Sequence, residues 1–172
     1  MNSSRPNILC IVTDQQHPDT LGLLGRIPVQ TPNLDRLATS GCAFTRAYTP
    51  CPLCTPARAS LLTGQYPSSH GAWSIGTDTP EDALSLPRLL GKAGYRTAIL
   101  GKSHLRSCLR EGSFEALPKN RDWDFFRNWN GPWHGFETAR INVGHTCEPH
   151  SASMHYGLWL RNKGVSLGPP HF

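Results

Sequence analysis

"CPLCTPARASLLTG", residues 51–64, is the stretch on which the reading of this chain turns. Thr55 and Pro56 stand where a helix would begin, Ala57, Ala59, Leu61 and Leu62 favour its continuation, and Gly64 ends it. Cys54 is the cysteine at the helix start, and Arg58 follows one turn later, so a guanidinium can reach whatever group residue 54 carries. Unpaired first-turn N–H groups and the positive end of the helix dipole make the same corner favourable to an anion. Such a corner suits a nucleophile that attacks an anionic ester.

Two other readings of the same cysteines compete. As C-x-x-C, Cys51 and Cys54 could be a redox pair, but that chemistry places the first cysteine at the helix N-terminus, directly after a strand. As half of a zinc site they need a second pair of ligands. Cys147 with His145, His150 and His155 could supply one, although a five-residue His spacing does not put the rings on one helical face. A non-catalytic thiol or zinc-binding module using Cys51 and Cys54 is therefore the alternative from a different functional class.

Working outward, "NILCIVT" (7–13) is a continuous apolar, β-branched run and reads as a strand buried on both faces. "TPNLDRLATSG" (31–41) reads as a helix with Thr31 as cap, Pro32 in first position and Gly41 as stop. "CAFTRAY" (42–48) reads as a short strand. "SLPRLLGKAGY" (85–95) is a further helix, with Ser85 at its N-cap and Gly94 near its end, and "RTAILGK" (96–102) is a second buried strand. Alternating strands and helices point to a doubly wound α/β sheet. From about 105 to 150 no clear period is visible, and long loops are expected there. Residues 151–163 read as a helix. His70 reads as a structural histidine, and the late tryptophans 123, 129, 133 and 159 are open between pocket lining and packing.

The chain has 172 residues, about one domain by size, with 38% apolar and 17% charged residues, which are globular values. Its 17 basic and 12 acidic residues give a net charge of +5 without any basic run, so no nucleic-acid partner is expected. No stretch approaches a transmembrane length, and no export signal is visible. The expectation is a cytoplasmic chain with no membrane partner, whose six cysteines are thiols.

The motif C-x-P-x-R at residues 54–58 resembles the signature of the type I sulfatases, the formylglycine-dependent branch of the alkaline-phosphatase-like superfamily. "RPNILCIVTDQQ", "TPNLDRLATSGCAFTRAY" and "GKSH" (101–104) resemble further segments of that family, in the same order. The match is best over 5–104; "HGFE" (134–137) and "GH" (144–145) are weaker. The resemblance implies an alkaline-phosphatase-like α/β/α sandwich with a mostly parallel sheet, truncated at its C-terminal side. It implies a sulfuric ester hydrolase in which Cys54 is converted to formylglycine by a maturation enzyme and held by Arg58. Lys102 and His104 would bind sulfate oxygens and the formylglycine hydroxyl. Asp14, Gln15 and residue 54 would ligate Ca²⁺ or another divalent metal, with a small-molecule or saccharide sulfate ester as substrate. Many members carry two adjacent acids where this chain has Asp14–Gln15, and an amide oxygen can still ligate Ca²⁺. The family's remaining metal ligands come from a later strand that no segment here matches, so the chain alone is expected to be weakly active or inactive. A phosphonate or phosphate ester hydrolase of the same superfamily is the nearer alternative.

Overall fold

A computed structural model describes residues 5–144 and 152–167. The chain divides into two compact units, Met1–Tyr48 and Thr49–Phe172.

In the first unit, two short 3-10 turns, Pro18–Thr20 and Gly22–Leu24, precede helix α1, Pro32–Ser40. Pro32 opens α1 as expected, since its fixed φ and missing N–H cost nothing there. Thr31 is the N-cap residue, but its hydroxyl makes no capping bond. It donates to Asp35 Oδ1 and accepts from the N–H of Gly22, both at 2.8 Å. Asp35 Oδ1 also accepts from Leu23 N–H at 2.9 Å, so one carboxylate ties the 3-10 turn to the helix. The expected strands at 7–13 and 42–48 do not form. Ile8, Leu9, Ile11 and Val12 are all exposed. β propensity fits a residue to a pleated, half-buried surface but supplies no partner, and within this unit no described segment pairs as a ladder.

The second unit holds the core. Helices α2 (Cys54–Thr63) and α3 (Pro67–His70) are followed by α4 (Leu86–Lys92), strand β1 (Ala98–Lys102), α5 (Trp123–Asn128), strand β2 (Thr138–Asn142) and α6 (Met154–Asn162). β1 and β2 pair in parallel, Ala98 opposite Thr138 and Lys102 opposite Asn142. α2 ends as its sequence predicts: Gly64 takes the left-handed conformation at φ 69°, and its N–H returns to the Ser60 carbonyl at 2.8 Å. Ser85 precedes α4, yet its hydroxyl donates to the His134 carbonyl at 3.3 Å instead of capping the helix.

The largest correction concerns 105–150, where loops were expected. Residues 123–128 are helical and 138–142 are a strand. Asp122 accepts the Phe125 N–H at 3.0 Å and starts α5. Along β2 the side chains of Ala139, Ile141 and Val143 are buried, on the alternate positions that share one face. They join Leu105, Phe126, Trp133 and Met154 in one apolar cluster, with Phe114, Phe125 and Trp129 packed against it.

α6 closes the outer edge of β2 through His155. Its Nδ1 accepts the Ile141 N–H at 3.1 Å, and its Nε2 bonds to the Trp129 carbonyl at 2.8 Å. Because Nδ1 accepts, the proton is on Nε2 and the imidazole is neutral. Burial lowers the His155 pKa, consistent with that role. The tryptophans left open by the sequence divide by position. Trp133 is core, Trp129 packs on it, Trp123 carries the Arg161 guanidinium over its ring, and Trp159 is exposed and stacked on Tyr156.

His70 is structural, as expected. It is buried, and its Nδ1 accepts the Ala72 N–H at 3.1 Å. Nε2 therefore donates to Ser60 Oγ at 2.9 Å, which pins α3 to α2. Burial lowers its pKa as well.

Candidate active site

α2 delivers its first residue, Cys54, to the C-terminal end of β1. Open α/β sheets gather ligands at that end, because the loops leaving the strands and the helix N-termini converge there. The Nζ of Lys102, the last residue of β1, lies 3.4 Å from Cys54 Sγ. One helical turn along α2, Arg58 Nη1 donates to the carbonyl oxygen of Lys102 at 2.9 Å. The i, i+4 spacing of Cys54 and Arg58 thus acts across the structure as well as along the helix. The guanidinium ties α2 to the strand end, and the strand end sets an ammonium beside residue 54. Cys54 and Cys51 are both unbridged thiols and both partly exposed.

The "GKSH" segment continues past β1 without regular secondary structure. Ser103 N–H bonds the Asn142 carbonyl at 2.9 Å, the last link between the two strands. His104 then adopts φ 50°, a left-handed conformation uncommon outside glycine, and its side chain is completely buried. The extended backbone expected over Lys102–His104 is interrupted at His104 by that positive φ. Arg58 and Lys102 are brought to Cys54, and His104, two residues on, is wholly buried.

Gly144 also shapes this corner and escaped the sequence reading except as a weak "GH" match. A Cβ added there would stand 2.8 Å from both Cγ and Cδ of Lys102 and 2.9 Å from its Cβ, at a φ of 74° that already favours glycine. Gly144→Ala should displace the Lys102 stem. The expected result is a lowered preference of Cys54 for an anionic over a neutral alkylating agent, measured by peptide mass spectrometry, with far-ultraviolet circular dichroism unchanged.

Asp14 and Gln15 lie in the first unit, after the 7–13 segment; Gln15 takes φ 52° and both are exposed. Among the described residues, no group of three or more His, Cys, Asp or Glu side chains stands together as a metal would require. Cys147, His145 and His150, the partners considered for zinc, fall outside the described residues, and His155 is engaged at the edge of β2. A cavity of about 600 Å³ opens at the opposite, N-terminal end of the strands, where Arg88, Lys92, Tyr95, His134 and Glu137 contribute to its wall.

A sulfatase family model matches residues 6–148, most of the chain. The chain belongs to the sulfatase family. It is 37% identical over 185 aligned positions to an ulvan-active sulfatase of Formosa agariphila, covering 98% of this chain and 36% of that one. To the uncharacterized sulfatase YidJ of Escherichia coli K12 it is 38% identical over 120 residues, 70% of this chain and 24% of the relative. To human steryl-sulfatase it is 35% identical over 136 residues, 72% and 23%.

Two solved structures show the same fold. The phosphonate monoester hydrolase of Agrobacterium radiobacter superposes with TM-score 0.66 and 29% identity, covering 93% of this chain and 29% of that one. BT4656, solved with its substrate D-glucosamine-2-N,6-O-disulfate, gives 0.64 and 30%, covering 87% and 24%. The second unit is thus a partial α/β domain of the alkaline-phosphatase-like fold, and the chain spans between about a quarter and just over a third of the length of these relatives. No helix among the described residues is long and apolar enough to cross a membrane.

Proposed function

We propose that this chain carries the nucleophile side of a sulfatase active site and that Cys54 is its formylglycine precursor. The observation that supports the reading best is the Lys102 ammonium 3.4 Å from Cys54 Sγ at the start of α2. Converted to Cα-formylglycine, residue 54 would supply, as its hydrate, the hydroxyl that attacks the sulfur of a sulfate ester. Around that atom the chain provides two fixed elements. Lys102 offers an ammonium for the anionic ester oxygens, in place before the charge arrives. Arg58 holds the carbonyl of Lys102, so the ammonium and the nucleophile keep one spacing through the reaction. The N–H groups of the first turn of α2 favour the same anion.

His104, two residues beyond Lys102 and wholly buried, is proposed to serve the site by family resemblance. Asp14 and Gln15 are proposed donors to a divalent metal, Ca²⁺ in the first instance, which would neutralise sulfate charge. The described residues do not bring a full donor set together, so no step is derived through the metal. A sulfated saccharide is the proposed substrate class, on the likeness to the ulvan-active sulfatase and to BT4656.

The test is co-expression with a formylglycine-generating enzyme, followed by hydrazide capture and peptide mass spectrometry. An aldehyde at residue 54, absent from Cys54→Ala, is expected. A 51–54 disulfide, or an unconverted Cys54 beside a converted control substrate, would overturn the reading.

A further inference from the structure

Trp133 is buried in the central cluster, and a buried indole N–H needs an acceptor. Its Nε1–H donates to Ser103 Oγ at 2.6 Å, a bond between two buried side chains. Ser103 is the residue joined to Lys102 on one side and to His104 on the other. A core side chain thus grips the middle of the "GKSH" segment.

Ser103 is held at both backbone and side chain. Its N–H bonds the Asn142 carbonyl at 2.9 Å, and its hydroxyl is fixed by the indole. Neighbouring residues of an extended chain face opposite ways. With Ser103 turned into the core, the Lys102 stem starts in the other direction, and there its Nζ lies 3.4 Å from Cys54 Sγ. Arg58 holds the Lys102 carbonyl oxygen, but that bond does not decide which way Ser103 faces.

The indole is itself aimed. Trp133 and Phe136 exchange two backbone hydrogen bonds, at 2.9 and 2.8 Å. Between them His134 and Gly135 have φ 45° and 93°, the two positive values that a type I′ turn demands. A Cβ at Gly135 would stand 2.4 Å from Arg88 Cγ, so the turn packs directly on α4. The Arg106 guanidinium lies 5.6 Å over the Trp133 ring.

We infer that Trp133 is a positioning residue: by donating to Ser103 it keeps that side chain in the core and thereby keeps the Lys102 ammonium beside residue 54. The inference rests on the reading of Cys54, Arg58 and Lys102 as an anion-handling corner, and its test separates the two.

The readout is the rate at which Cys54 of the full chain reacts with iodoacetate relative to iodoacetamide, normalised to glutathione. An ammonium roughly 4 Å away should favour the anionic reagent by about fivefold in water, and Lys102→Met should lose that factor. Trp133→Phe keeps a ring in the core but drops the N–H, and Ser103→Ala drops the acceptor. Each should lower the preference by about twofold, as when the ammonium retreats to roughly twice the distance. The double variant should lose no more than either single change, because both remove one bond. Leu158→Ala, a core truncation on α6, should keep the wild-type preference, which separates positioning from loss of stability. The indole Nε1–H resonance that disappears in Trp133→Phe should shift in Ser103→Ala and exchange with solvent about fivefold faster, the loss of one hydrogen bond. If Trp133→Phe fails to fold, Ser103→Ala decides alone. Wild-type preference in the folded variants, or an unmoved indole resonance in Ser103→Ala, overturns the inference while leaving the site reading intact. A preference unchanged by Lys102→Met overturns the site reading.

Discussion

Phe126→Ala is expected to cost the second unit about 3–5 kcal/mol, the usual range for removing a buried aromatic ring. Phe126 has no exposed surface and is the largest wholly buried side chain among the described residues. Its ring meets Phe114 at 5.4 Å, Phe125 at 5.1 Å and His155 at 5.4 Å between centroids, all edge-on. α5 has only six residues, Trp123–Asn128, far too few to hold a helix in water without such packing. Losing the ring therefore loosens α5 together with the His155 bridge to β2. Against a typical total of about 5–15 kcal/mol, that loss leaves the unit marginal. Urea unfolding followed by tryptophan fluorescence is the measurement. A loss below about 1 kcal/mol would mean that the cluster collapses around the gap and is not the core described above. Leu100→Ala, on the exposed side of β1, should change the midpoint little.

How far such features could be read from the residues depends on whether their cause is local. α1, α2 and α4 follow from punctuation: Pro32, Pro56 and Pro87 fall in first turns, and Gly64 ends its helix in the left-handed conformation. β1 starts two residues later than expected and ends where expected, at Lys102, but it is not the buried strand expected, since Ala98, Leu100 and Gly101 are exposed. The 7–13 run fails for the complementary reason, since an apolar β-branched segment states a preference while a strand requires a partner. β2 was legible in principle. Ala139, Ile141 and Val143 alternate with Arg140 and Asn142, but five residues between Trp- and Gly-rich segments are too short for the period to stand out.

At the site, Cys54 and Arg58 are paired by helical spacing and were visible. Lys102, 48 positions from Cys54, reaches it only because β1 is parallel to β2 and ends beside α2; family resemblance, not spacing, pointed to it. The burial of Glu115 had no visible sign. An acid between Phe114 and Ala116 reads as a surface residue, yet the fold buries it completely against one backbone donor, the Arg106 N–H at 2.9 Å.

That burial leads to the second large effect. Burial, outweighing the hydrogen bond from the Arg106 N–H, pushes the Glu115 carboxyl up from 4.5 to about 7. The folded state then binds this proton more tightly than the unfolded state. Its contribution to stability is fully present below about pH 4.5 and is lost as pH rises through about 7. A shift of that size corresponds to about 3 kcal/mol. His134 acts with the opposite sign: burial first, then the Arg106 and Arg88 charges, lowers it from 6.5 to about 4. Its contribution is present above about 6.5 and is lost as pH falls toward 4, and His70 and His155, also lowered, act in the same sense. Between pH 4.5 and 6.5 the Glu115 and His134 slopes oppose each other and nearly cancel, which leaves the wild type only the shallower rise from His70 and His155. Glu115→Gln removes the falling slope while keeping an acceptor for Arg106, so its stability should climb with pH across that window. Relative to wild type the variant should gain about 3 kcal/mol between pH 4.5 and 7, read from urea midpoints at each pH. Parallel profiles for the two proteins would show that Glu115 titrates alike in the folded and unfolded chain.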